Sequence, residues 1–262
     1  MVVIIDNKAS IIIPAWNCLP WIEQCLNSAR NQSHGETEIV IVYGFSNDGS
    51  DAWLEKNASD CVLVRFQSRL TPNQAILAGL AESTGEFIFF LDSDDWLAVD
   101  AIESLLTGFT NPSCDVVFGR RLLVYGDNIY PSVSRLIAFD RRLPDSAHAM
   151  LHTCLFRSVF LHYLADRHHE FLKQAGFVYD FILAALSLVE NPKGIIRLDK
   201  DVYYYRQRQE SRKRRFRPQV TEQIKTVLQY CHEIQKNRSA ADQQSARPAY
   251  QDRSQNRTGG DL

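Results

Sequence analysis

The sequence predicts an α/β fold built on a parallel, Rossmann-like sheet flanked by helices. Three observations predict it. Short β-branched or wholly apolar runs alternate with helical segments at a spacing of roughly 20–30 residues, the rhythm of βαβ units. The run Phe87 to Leu91 has no polar face, which suits a strand buried on both sides at the sheet centre. That run ends in Asp92-Ser93-Asp94-Asp95, at the carboxyl end of a strand, where open α/β sheets bind ligands. Carboxylates this close raise one another's pKa unless a cation sits among them. Hard oxygen ligands suit Mg²⁺ or Mn²⁺, and Mg²⁺ commonly takes one or two carboxylates plus substrate phosphates. The stretch therefore suggests a metal–diphosphate site. A helix N-terminus capped by Asp92 or Asp94 accounts for the same residues without one.

Each element follows from its residues. Ser10 to Pro14 is a β-branched run closed by proline, a buried strand. Pro20 opens a helix that places Ile22, Cys25, Leu26 and Ala29 on one face. Glu38 to Tyr43 is a second strand, Gly44 to Ser50 a turn-rich loop, and a helix runs from about Asp51. Cys61 to Val64 is a third strand. Thr71-Pro72-Asn73-Gln74 starts a helix, with Thr71 as cap and Gln74 closing a capping box. That helix reaches Ser83 or Thr84, with Gly85 as its C-cap. The central strand comes next, then a helix through Ala101-Ile102 and Leu105-Leu106, then a fifth strand at Asp115 to Phe118. Past Arg120 the rhythm changes. Leu122 to Tyr130 reads as strand and turn, Asp145-Ser146 as the cap of a short helix, Phe177, Phe181, Ala184 and Leu188 as one helical face, and Val202 to Tyr205 as a late strand. A helix follows from about Pro218 to Ile234. From Gln235 to residue 262 the chain is too polar to offset ordering and is expected to be disordered.

Composition narrows the function classes. The 262 residues are 45% apolar, enough for a real core. A net charge of −2 gives no general attraction to nucleic acid. No apolar run approaches a membrane span, and Met1 to Ile5 is too short for a signal-peptide core. The cysteines Cys18, Cys25, Cys61, Cys114, Cys154 and Cys231 form no C-x-x-C pair and read as buried apolar residues of a reducing compartment. A cytoplasmic location is expected. His152, His162, His168 and His169 lack metal-ligand spacing; His168-His169 reads as a solvated turn, and His152 is a candidate for lining the acceptor site. No G-x-G-x-x-G follows the first strand, which argues against a dinucleotide or nucleotidyltransferase loop.

Four stretches carry a resemblance. Ser10-Ile11-Ile12-Ile13-Pro14-Ala15-Trp16-Asn17 and Gly85-Glu86-Phe87-Ile88-Phe89-Phe90-Leu91-Asp92-Ser93-Asp94-Asp95-Trp96 are similar to the I-I-P-x-Y-N opening and the T-G-E-Y-I-x-F-L-D-S-D-D segment of family 2 glycosyltransferases. His152 to Leu161, with Leu155-Phe156-Arg157, and Tyr203-Tyr204-Tyr205-Arg206 with Ser211 resemble later stretches of the same family, in the right order. The resemblance covers roughly residues 9 to 215. It implies a GT-A fold, in which 1–120 form the nucleotide-sugar-binding half and 121–217 the acceptor half of one domain. It implies inverting transfer of a sugar from a nucleotide-diphosphate donor, of the UDP-sugar kind, to a glycan or lipid-linked acceptor in surface polysaccharide synthesis. Asp92-Ser93-Asp94 matches the D-x-D motif, so Asp94 and Asp92 would hold Mn²⁺ or Mg²⁺, and Asp92 and Ser93 would also face the donor. Pro14, Ala15 and Trp16 would pack on the nucleotide. Asp180 matches the acid of the family's E-D pair and is the candidate base.

The chain also departs from that pattern. Tyr43-Gly44 stands where the family has two acids, so Tyr43 would stack on the base or hydrogen-bond to it. Ile76 replaces a donor-facing arginine, and Tyr179 replaces the first acid beside Asp180. Arg206, Arg208 and Arg212 would supply charge to the diphosphate. The basic run Arg206 to Arg217 reads as a solvated face, a diphosphate clamp, or a peripheral contact with an anionic membrane surface. Asp48 reads as a turn residue. These departures support an alternative, a catalytically inactive glycosyltransferase-like binding or scaffold subunit.

Overall fold

The computed structural model describes residues 4–132, 147, 150, 152–174, 178–208 and 218–241. Its strands are β1 (Ile5–Ala15), β2 (Thr37–Tyr43), β3 (Val62–Arg65), β4 (Gly85–Phe90), β5 (Trp96–Leu97), β6 (Val116–Tyr125), β7 (Asn128–Pro131), β8 (Cys154–Arg157) and β9 (Ile195–Arg206). The early helices are α1 (Ile22–Arg30), α2 (Ser50–Asn57), α3 (Pro72–Glu82) and α4 (Ala101–Leu106). Further helices span Ser158–Arg167, His169–Gln174, Tyr179–Glu190 and Pro218–Ala241. One sheet runs through all the described strands in the order β3-β2-β1-β4-β8-β6-β9-β5, with β7 paired on β6.

The first half is the parallel array that the periodicity predicts. β1 lies parallel between β2 and β4, and β3 pairs parallel with β2. β4 is buried on both faces because its side chains alternate between two cores. Ile88 and Phe90 enter one with Ile76 of α3 and Ile182 of the Tyr179–Glu190 helix. Phe87, Phe89 and Leu91 enter the other with Ile22 and Leu26 of α1 and Ile102 of α4. Each such side chain contributes about 1.5–3 kcal/mol relative to exposure. The predicted face of α1, Ile22, Cys25, Leu26 and Ala29, is the buried one. Thr71 and Gln74 close the predicted capping box on α3.

The second half differs from a simple parallel continuation. The strand at Asp115–Phe118 does become β6, but β8 separates it from β4 and runs antiparallel to both. Four residues with no alternating pattern, Cys154 to Arg157, give little local sign of a strand. Their place is set by Phe156, which sits opposite Ile88 on one side and Val116 on the other. β9 returns parallel to β6 and reaches back over the end of β4. This is what carries Tyr203, Arg206 and Arg208 to the carboxylates.

Three local expectations are corrected. Gly85 does not cap α3; Ser83, in extended conformation, does. Gly85 instead opens β4 where a Cβ would lie 2.6 Å from Ser10 Oγ and 2.7 Å from Lys8 O and Ser10 N, so glycine is needed for the approach of two strands. His168 is not a solvated turn but is 3% exposed. Its Nε2 lies 3.1 Å from Glu190 Oε1 and its Nδ1 3.0 Å from the Tyr230 hydroxyl, because the last helix packs over it. That helix runs to Ala241, beyond the expected Ile234 into the segment read as disordered. Asp145, Ser146, Phe177, Ser211 and Arg212 lie outside the described residues, as do residues 209–217 and 242–262.

A Gly85→Ala substitution is expected to destabilise the fold by about 1–3 kcal/mol, the usual cost of forcing an extra carbon into packed surroundings. Urea unfolding checks it, and an unchanged midpoint would contradict the close approach of β1 and β4.

Candidate active site

The site lies where β4 ends. Leu91 keeps the strand's last hydrogen bond, its N–H donating to Ile12 O at 3.0 Å, and the chain then turns through Asp92, with Asp95 N–H donating to Asp92 O at 3.0 Å. This turn aims three carboxylates in different directions, and each meets its own partners. Asp95 points inward and is 1% exposed. It accepts from the Tyr203 hydroxyl at 2.8 Å and from Arg206 N–H at 2.7 Å. Asp94 Oδ2 lies 2.6 Å from Arg208 Nη2. Asp92 Oδ1 accepts from the Tyr179 hydroxyl at 2.7 Å, and its Oδ2 lies 3.4 Å from His152 Nδ1.

The charges follow from these surroundings. Burial, followed by Asp94 and Asp92, pushes the Asp95 carboxyl well above its ordinary value. Burial and Asp92 also raise Asp94, against the pull of Arg208. Burial acts upward on Asp92 too, but the His152 ring, the Tyr179 hydroxyl and Arg208 outweigh it and hold that carboxyl below its ordinary value. Burial and the neighbouring carboxylates push the phenols of Tyr179 and Tyr203 well up, so both stay hydrogen-bond donors.

Asp180, in the first turn of the Tyr179–Glu190 helix, faces the same cleft. Its Oδ1 accepts from Phe181 N–H at 2.8 Å, and its Oδ2 lies 3.1 Å from His152 Nε2. His152 thus stands between Asp92 and Asp180. Its ring is stacked with Tyr205 at 4.9 Å and Tyr203 at 5.7 Å between centroids; strand alternation puts both tyrosines on one face of β9. The backbone of His152 has φ +63°, a left-handed conformation that costs a residue with a Cβ about 1–2 kcal/mol.

Several predicted residues are placed differently from one another. Pro14 and Ala15 end β1, paired with Val42 and Tyr43 of β2. Trp16 follows in the loop, with the Arg69 guanidinium 3.5 Å over its ring. Ser93 is buried, its hydroxyl beside the Cys18 thiol. Tyr43 is 4% exposed and packs its ring in the core with Ile41 and Leu54, with its hydroxyl toward Glu55. Ile76 is likewise core. Asp48 is a turn residue, accepting from Ser50 N–H and Leu19 N–H at 3.0 Å. Arg206 is engaged by the protein itself: its Nε donates to Asp94 O at 2.8 Å and its guanidinium lies 4.8 Å over Trp96. Arg208, over Trp21 at 4.4 Å, is the arginine that reaches Asp94. Spacing alone gave His152 no bridging role, but His152 heads the His152–Leu161 stretch that carries part of the resemblance, and the structure sets it between Asp92 and Asp180.

No group of three or more His, Cys, Asp or Glu among the described residues is arranged to hold a metal ion alone. The chemistry of the donor set nevertheless suits a divalent cation. Asp94 and Asp92 offer hard oxygens side by side on one turn, both partly open to solvent. Two carboxylates with substrate phosphates make an ordinary Mg²⁺ set.

A Rossmann-like sheet with an acidic turn after its central strand, faced by an acid opening a helix of the second half, is the arrangement of the GT-A fold. Residues 10–161 match the model for Glycosyl transferase family 2, and the chain belongs to that family. Among curated relatives, it is 28% identical over 126 residues to the GalNAc(5)-diNAcBac-PP-undecaprenol beta-1,3-glucosyltransferase of Campylobacter jejuni, covering 47% of this chain and 40% of that one. The chain spans less than half the length of the curated relatives it matches. Among solved structures it is similar to S. aureus TarS 1-349 in complex with UDP, with a TM-score of 0.65 at 20% identity, over 90% of this chain and 72% of that one. It is also similar to glucosyl-3-phosphoglycerate synthase from Mycobacterium tuberculosis in complex with Mn²⁺, UDP-glucose and phosphoglyceric acid, with a TM-score of 0.57 at 18% identity, over 86% and 80% of the two chains.

A carboxyl with a raised folded-state pKa contributes stability that is complete below its unfolded value and is lost as pH rises through its folded value. The stability of wild type relative to Asp95→Asn is therefore expected to fall from acid pH upward and level off above the Asp95 titration. Urea unfolding across pH measures it; a difference that grows with pH would reverse the sign given to Asp95.

Proposed function

We propose that this chain catalyses inverting transfer of a sugar from a UDP-sugar to a hydroxyl of a glycan or lipid-linked acceptor, in bacterial surface polysaccharide synthesis. One observation carries the reading: Asp180 and the Asp92–Asp94 turn face one cleft from opposite halves of the sheet, bridged by a single side chain. The UDP in the TarS structure, the Mn²⁺ and UDP-glucose in the synthase structure, and the undecaprenol-linked substrate named for the Campylobacter relative support the donor, metal and acceptor classes.

In this reading Asp180 takes the proton of the acceptor hydroxyl as its oxygen attacks the anomeric carbon. The new glycosidic bond forms on the face opposite the donor diphosphate. The bond to the phosphate oxygen breaks, and its electron pair leaves with UDP. Asp94 and Asp92 would hold Mn²⁺ or Mg²⁺, which when bound supplies Lewis-acid stabilisation of the leaving diphosphate. Among the described residues Arg208 is the cation paired with Asp94, beside where that charge would develop. Trp16, Pro14, Ala15 and Ser93 line the approach of the nucleotide. Tyr179 keeps a donor on Asp92 where the family pattern has an acid, so this departure preserves a polar function. No helix among the described residues is long and apolar enough to cross a membrane, and a membrane-bound acceptor would be met at the surface.

Thermal unfolding against nucleotide sugars, with and without Mn²⁺, tests the donor. A ligand at about a hundred times its Kd adds roughly 2.7 kcal/mol, and the stabilisation is expected with UDP-sugars, with Mn²⁺ and with Asp94 intact, but not in Asp94→Ala. Asp180→Asn is expected to lower kcat by about 10²–10⁴-fold with donor binding retained. Absence of both stabilisation and turnover would favour the binding-subunit alternative.

A further inference from the structure

We infer that His152 is the positioning residue for the base, holding Asp180 in register with the donor side of the cleft. The inference rests on the reading of Asp180 as base and deepens it. Four residues close a ring. Tyr179 donates its hydroxyl to Asp92 Oδ1 at 2.7 Å. Tyr179 and Asp180 are joined by a peptide bond. Asp180 Oδ2 lies 3.1 Å from His152 Nε2, and His152 Nδ1 lies 3.4 Å from Asp92 Oδ2. The donor-side carboxylate and the base are thus joined once through the backbone and Tyr179, and the imidazole that contacts the base lies at ion-pair distance from that same carboxylate.

Within the ring the stronger of the imidazole's two contacts is with Asp180. Nε2–H, at 3.1 Å, holds one carboxylate oxygen, while Phe181 N–H holds the other at 2.8 Å. These two contacts, one to each oxygen, fix the plane of the carboxylate. Nδ1 is buried without a hydrogen-bond partner, since 3.4 Å is beyond good geometry. The ring itself cannot turn freely. Tyr205 and Tyr203 stack on it, at interplanar angles of 19° and 25°, the side chain is 11% exposed, and its backbone is held at positive φ. A side chain kept in an unfavourable backbone conformation and clamped by aromatics is over-determined by its surroundings. Here the determination serves one contact, the orientation of Asp180.

Conservative variants separate this role from a merely structural one. Glutamine places an amide donor near the position of Nε2; asparagine places one near Nδ1 and suits a positive φ better. If His152 only shaped the loop, Asn would be the better replacement in every respect. If it positions Asp180, His152→Ala loses about 10–100-fold in kcat, in line with the effect of a misplacement of about 1 Å, at nearly constant donor KM. His152→Gln then recovers most of the rate and His152→Asn little, although Asn is the more stable protein. Equal kcat in the Gln and Asn variants, or a loss confined to donor KM, would overturn the proposal. Asp180→Asn is assayed beside them: full activity there would refute the base assignment itself. An arm independent of turnover is a crystal structure of His152→Ala. The Asp180 carboxylate is expected to leave its orientation, and an unmoved carboxylate would refute the positioning role whether or not the enzyme turns over.

Discussion

Like charges gathered at the end of a buried strand are the constraint on which this molecule is arranged. Asp92, Asp94 and Asp95 cannot share one apolar-walled corner without compensation. Each is compensated by a different part of the second half: Asp95 by Tyr203 and the Arg206 amide, Asp94 by Arg208, Asp92 by Tyr179 and His152. The return of β9 along β6 and the placement of the Tyr179–Glu190 helix bring those groups to the carboxylates. Asp95, deeply buried and bonded to two donors, anchors the end of β9. Asp92 and Asp94, partly open, are the ones left to meet a substrate.

The distinction between anchoring and reactive acids has a counterpart at the far end of the Tyr179–Glu190 helix. There Glu190 is buried and accepts from Tyr163 at 2.7 Å and from Arg167 at 3.1 Å, with His168 at 3.1 Å from the same oxygen as Arg167. A buried carboxylate is tolerable only with its lone pairs taken. This one fastens the C-terminal end of the helix whose N-terminal end presents Asp180. The helix is held at both ends, which limits how far the candidate base can drift relative to β4.

The first half of the fold was legible in the sequence because its signals are local. The capping box of Thr71 and Gln74, the apolar face of α1 and the two-sided burial of Phe87 to Leu91 depend on neighbours within a few residues. The acidic turn was legible for the same reason. The second half depends on partners far apart in the chain. Cys154 to Arg157 became a strand only because β4 and β6 flank it; His168 was buried by a helix that begins fifty residues later, at Pro218. Arg206 and Arg208 are equal candidates by charge, and only the geometry of β9 gives the first to the Asp94 carbonyl and the second to its carboxylate.

The reach of β9 also bears on how such a chain can be recombined. The segment that the family model matches spans 10–161 and includes the acidic turn. Tyr179, Tyr203, Arg206 and Arg208, which neutralise or hydrogen-bond that turn, all lie beyond it. The matched segment is therefore not a self-sufficient module. Joined to the second half of a relative, its acids would depend on that relative's own closing stretch, so a crossover after Arg208 keeps each acid with its counterparts.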